Sequence, residues 1–126
     1  MTNADVGAVG EQLVAFWFVQ RGAKVYFPLG VLDGTDLAVD VGCRMYKVQV
    51  KTASGGTKIE FRLRKNKDQP YEPEALDLYA LVSLDPPNVA LVPYRPGTSL
   101  TIDFENLRPE WGFDYVFEQM REGGLV

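Results

Sequence analysis

The sequence of 126 residues contains no histidine and a single cysteine, Cys43. Without histidine there can be no Ser-His-Asp triad, no Cys-His dyad and no His-ligated metal centre. One thiol cannot close a disulfide within the chain, so a reducing, cytoplasmic compartment is the expected setting. Long apolar runs are missing too. None approaches the roughly 18 residues of a membrane span, and the first residues lack the basic region and apolar stretch of a secretory signal, so no membrane partner is expected. Any chemistry falls to carboxylates, amides, lysine and backbone groups.

What is present is enough for a packed core: 46% of residues are apolar and 24% charged. No repeat, low-complexity segment or linker interrupts them, and the expectation is one domain over residues 1–126. The net charge of -4 argues against a uniformly basic surface for nucleic acid. Its distribution argues otherwise. Between Arg44 and Lys67 stand eight basic residues and one acid, Glu60, a local charge of +7, while the remainder carries -11.

Apolar spacings of three and four (Val6, Val9, Leu13, Phe16, Trp17) predict a helix over 4–21, capped by Asn3 or Asp5 and ended by Gly22. A strand is expected over 23–29. Alternation then predicts strands over 36–41, 46–51 and 58–65, the first two close enough to pair as a hairpin. Residues 66–73 read as a loop, 76–84 as a buried central strand containing Asp77, 89–94 as a short strand, and 113–121 as a C-terminal helix. The fold class expected is α/β: an N-terminal helix on a mixed, largely antiparallel sheet, with a C-terminal helical element.

On this layout the polar faces of two neighbouring strands bring together Asp36, Gln49 and Lys51, with Glu11 added if the first helix faces the same edge. Oxygen donors of this kind suit a hard cation such as Mg²⁺, which takes one or two carboxylates together with waters and phosphate oxygens. The alternating basic face, Lys58, Arg62, Arg64, Lys65 and Lys67, with Lys47 and the turn residue Ser54 nearby, suits a phosphate-tracking surface. A bland reading of the same face is an edge strand protected by charge.

Three motifs carry a resemblance: Gly7-x-x-Gly10-Glu11 in the first helix, Gly34-Thr35-Asp36 opening a strand, and Val48-Gln49-Val50-Lys51 on the next. Over about residues 7–54 the chain resembles the nuclease core of the PD-(D/E)XK superfamily. Its nearest branches are the intron-encoded homing endonucleases of that fold and the archaeal-type Holliday junction resolvases. The resemblance implies a restriction-endonuclease-like core. It implies Asp36 as metal-ligating aspartate, Lys51 as motif lysine, and Glu11, Gln49 and the Val50 carbonyl as further ligands of Mg²⁺, with Mn²⁺ able to substitute. Two positions depart from the pattern: Thr35 stands for the usual proline and Gln49 for the second acid.

The implied activity is sequence-specific cleavage of double-stranded DNA to 5′-phosphate and 3′-hydroxyl ends, by a homodimer or homotetramer because one site cuts one strand. A junction resolvase, or a nuclease-fold DNA-binding module silenced at Gln49, stays open beside it.

Overall fold

The computed structural model describes residues 1–30, 34–66 and 69–125, without the side chains of 65 and 66. Helix α1 spans Asn3–Gln20. Its cap is Thr2, just before the predicted candidate Asn3: the Thr2 hydroxyl accepts from the Asp5 backbone N–H at 3.1 Å, and the Asp5 carboxylate accepts from the Thr2 N–H at 2.9 Å. Asp5 is therefore the reciprocal partner of a capping box rather than the cap itself.

Five strands form the main sheet in the order β1-β2-β3-β6-β7: β1 Lys24–Tyr26, β2 Leu37–Val41, β3 Arg44–Ala53, β6 Leu78–Leu84 and β7 Pro87–Pro93. All neighbours are antiparallel except β3 and β6. The predicted hairpin forms between β2 and β3, its turn made by Gly42 and Cys43, both at positive φ (60° and 68°), as a tight two-residue hairpin requires. The predicted strand over 23–29 contracts to three residues, and the one over 58–65 breaks at Leu63.

That break has a topological cause. Residues Lys58–Arg62 (β4) leave the main sheet and pair with a strand that the periodicity reading missed, Ser99–Asp103 (β8), as a separate antiparallel ribbon. Arg64–Asn66 and Gln69–Pro70 form a further small pairing, of which the first is β5. Helix α2 covers Phe113–Arg121, as predicted.

The result is three layers. On one face of the sheet, Val14 and Phe18 of α1 and Phe113, Val116, Phe117 and Met120 of α2 pack on Leu37, Val39, Val48, Val50, Ala80 and Leu91. On the other, Phe61 and Ile102 of the ribbon pack with Leu63, Tyr71 and Leu76 on Tyr79, Leu81, Ala90 and Val92. Fully burying each such side chain stabilises by about 1.5–3 kcal/mol. The helix presents Gly10, Val14 and Phe18 to the sheet and leaves the predicted face members Val9 and Phe16 exposed.

Candidate functional site

The site forms where β2 begins. Leu37 is the first residue of β2 in register with β3, opposite Val48. Just before it, the Asp36 N–H donates to the Val48 carbonyl at 2.8 Å, and the Val50 N–H donates to Asp36 Oδ2 at 2.8 Å. The Asp36 carboxylate thus takes the place that a backbone carbonyl of a longer β2 would occupy, which locks its rotamer and leaves Oδ1 for a ligand.

The turn that delivers Asp36 is anchored by Thr35. Its hydroxyl donates to the Ala75 carbonyl at 2.8 Å and the residue is buried. A proline at this position would stiffen the turn through its ring; threonine restrains it through a hydrogen bond instead.

Strand β3 supplies the rest. Alternation sends Val48 and Val50 to the helical layer, and Gln49 and Lys51 to the opposite face, in register with Tyr79 and Leu81 of β6. Gln49 is 8% exposed; its amide nitrogen donates a long 3.4 Å bond to the Val50 carbonyl, and among the described residues no group donates to its Oε1. Lys51 Nζ donates to the Tyr71 hydroxyl at 3.0 Å and to the Arg64 carbonyl at 3.4 Å, and sits 5.0 Å from the Tyr71 ring centroid.

Glu11 reaches this edge because α1 lies unusually close to β3. A Cβ on Gly10 would stand 1.8 Å from Thr52 Oγ1, so only glycine allows this approach. Burial first, and the Asp36 charge second, push the Glu11 carboxyl above its ordinary range. Burial also raises Asp36, against the lowering effects of the Val50 N–H and of Lys51. Two carboxyls whose ionisation burial disfavours, with the Asp36 charge adding to the effect at Glu11, form a place where a cation is favourable.

Asp36 thus stands within electrostatic reach of both Glu11 and Lys51, and Gln49 shares the Lys51 face of β3. The predicted DNA-contact residues divide. Lys58 and Arg62 are exposed on the ribbon and Ser54 is exposed at the end of β3. Lys47 is exposed, but its Nζ donates to the Glu74 carbonyl, while its N–H donates to Asp77 Oδ2 at 2.7 Å. Asp77 therefore ties a strand start to β3 rather than joining the cluster. Arg64 is half-buried; the Lys65 side chain and all of Lys67 lie outside the described residues.

The sequence reading missed a tyrosine floor. Tyr71 and Tyr79 have ring centroids 6.2 Å apart, Tyr79 and Tyr94 6.3 Å, and the Tyr94 hydroxyl donates to the Tyr71 carbonyl at 2.7 Å. Tyr79 could have been placed by its period-two relation to Asp77; Tyr71, in an apparent loop, gave no periodic signal.

Comparison with known proteins places these observations. A family model described as PD-(D/E)XK endonuclease matches residues 1–95. The solved structure of a bacterial homing endonuclease, I-Ssp6803I, superposes with a TM-score of 0.73 over 98% of this chain and 94% of that one, at 16% identity. Protein 5.3 of Escherichia phage T7 is 44% identical over 48 residues, 38% of this chain; the match spans 41% of that protein.

Proposed function

Because the chain belongs to the PD-(D/E)XK endonuclease family, we propose that it is a metal-dependent, sequence-specific double-strand DNA endonuclease of the homing type, leaving 5′-phosphate and 3′-hydroxyl ends. The observation that carries this reading is the Asp36 carboxylate fixed by the Val50 N–H, with the Lys51 ammonium on the same sheet face.

The donor set fits a hard divalent cation, Mg²⁺ or Mn²⁺. Burial raises the proton affinity of both Asp36 and Glu11, the Asp36 charge adds to it at Glu11, and among the described residues no group donates to the Gln49 amide oxygen. Those three groups and the Val50 carbonyl are the ligands we assign. When bound, such a cation polarises a phosphoryl oxygen and makes a coordinated water more acidic. The chain's own residues do the rest. Asp36 and Glu11 would hold that cation at the scissile phosphate, and Lys51 would align the attacking water and donate to the charge that develops on the phosphate. Lys58 and Arg62 on the ribbon track the backbone beyond it. One site cuts one strand, so the working form is a dimer or tetramer with two-fold symmetry, acting in a reducing compartment such as the cytoplasm.

A second reading has its own support. Gln49 is neutral, and among the described residues no group of three His, Cys, Asp or Glu side chains is placed to hold a metal. A DNA-binding module silenced at Gln49 would bind without cutting, and Gln49→Glu would revive it. The deciding experiment incubates the purified protein with linear duplex or four-way junction DNA at low salt, with Mg²⁺ or EDTA. EDTA-sensitive cutting of specific linear sites supports the homing reading, and junction-selective cutting supports a resolvase. No EDTA-sensitive cleavage of either sinks the enzyme reading. Lys51→Ala should abolish cleavage while leaving DNA affinity nearly unchanged; equal loss of both would mark a structural lysine.

A further inference from the structure

Lysine is a poor tool unless something holds it. Its ammonium rides on a flexible four-carbon stem and is strongly hydrated, so an unrestrained head samples many positions around a phosphate. The usual restraint is a carboxylate partner. Among the described residues, no carboxylate lies within 4.0 Å of the Lys51 ammonium.

The restraint present is neutral. Tyr71 Oη accepts from Lys51 Nζ at 3.0 Å, with the centre of the same ring 5.0 Å from the ammonium. Tyr71 is itself immobilised: it is 7% exposed, its ring packs against Tyr79, and its carbonyl accepts the 2.7 Å bond from Tyr94 Oη. The Arg64 carbonyl takes a second, longer bond from Lys51 at 3.4 Å. With two of the three ammonium N–H groups so engaged, the third remains for a phosphate or its attacking water.

We propose that Tyr71 is the positioning residue for Lys51: its hydroxyl and ring fix the ammonium beside Asp36 and Gln49 without neutralising it. A carboxylate in the same place would fix the head equally well and cancel the charge that the transition state needs. A neutral phenol supplies orientation and leaves the positive charge free to act. This rests on the reading of Lys51 as the active-site lysine. Tyr94 acts one step further back, through the main chain of Tyr71.

The test uses the full chain with Tyr71→Phe, which keeps the ring and removes only the hydroxyl, alongside Lys51→Ala and Tyr94→Phe. Three quantities are read: single-turnover cleavage of duplex DNA in Mg²⁺, DNA affinity in Ca²⁺, and the ¹H–¹⁵N signal of the lysine ammonium groups, with Lys51→Ala giving the assignment. Tyr71→Phe should slow cleavage about 10- to 100-fold, the scale of a misplaced catalytic group, with DNA affinity within about twofold and the Lys51 ammonium signal broadened or lost. Tyr94→Phe should move the rate in the same direction by less. An unchanged Lys51 signal together with an unchanged rate in Tyr71→Phe overturns the proposal. If instead Lys51→Ala cleaves normally, the assignment of Lys51 fails, while the ammonium signal still decides whether Tyr71 holds that group.

Discussion

Asp36 sits where two demands conflict. Its backbone role, accepting from the Val50 N–H, needs burial, and burial raises its proton affinity; Glu11 is raised by burial and by Asp36 in turn. Both carboxyls therefore hold protons to higher pH in the folded chain than in the unfolded one. Linkage fixes the sign: the folded state binds more protons across that window, so stability without metal falls as pH rises from the ordinary carboxylate range through the raised values. Asp36→Asn keeps an oxygen for the Val50 N–H and removes the charge. In EDTA it should melt above the parent protein, by a margin that grows with pH, and Mg²⁺ should stabilise the parent but not the variant. Melting curves between about pH 4 and 7 check both. Tyr79 offers a simpler case. It is 0% exposed and its hydroxyl has no partner among the described residues. A buried hydroxyl without a bond costs on the order of 1 kcal/mol or more, so Tyr79→Phe should raise the melting temperature by a few degrees.

Between elements, the decisive contact is that of α1 with β3 at Gly10. The Gly7-x-x-Gly10-Glu11 motif becomes physical there: glycine lets the helix approach Thr52, and the next residue is thereby delivered to Asp36. Gly10→Ala improves helix propensity by about 1 kcal/mol yet puts a methyl 1.8 Å from Thr52 Oγ1. The overlap should win, lowering stability by about 1–3 kcal/mol and reducing cleavage as Glu11 moves off the site. Adding Thr52→Ala should recover part of both losses; a double-mutant cycle by thermal melting measures the coupling. Strand alternation made Leu37, Val39, Val48 and Val50, the hairpin and the Asp36–Gln49–Lys51 face legible from sequence, because a period of two survives in a single strand. The inner face of α1 was misread. Apolar residues lie all round that helix, and the contact is selected by the small Gly10 rather than by hydrophobic spacing. Residues Ser99–Asp103 alternate too, Leu100 and Ile102 against Ser99 and Thr101, but the pairing with Lys58–Arg62 spans some forty residues of intervening chain and leaves no local mark.

Across the molecule, the described basic residues between Arg44 and Arg64 do not form one patch. Strand β3 alone carries Arg44 at one end and Lys51 near the other, seven residues or roughly 23 Å apart at the rise of a strand. Arg44 lies over the Tyr46 ring at the hairpin end, away from Asp36, which stands beside Val48 and Val50. Lys51 is committed to Tyr71, and the Lys47 ammonium to the Glu74 carbonyl. Among the described basic residues of this segment, Lys58 and Arg62 are exposed on the ribbon and available to a duplex. Each phosphate contact releases condensed counterions, and the logarithm of the binding constant falls with log salt by about 0.9 per contact. Lys58→Ala and Arg62→Ala should therefore each flatten that slope by about one and weaken binding to all sequences alike, whereas Arg44→Ala should leave the slope unchanged. Fluorescence anisotropy with labelled duplex in Ca²⁺, titrated from about 50 to 200 mM salt, separates the outcomes. A loss of slope in Arg44→Ala equal to that in Arg62→Ala would mean that the duplex runs along β3 rather than across the ribbon.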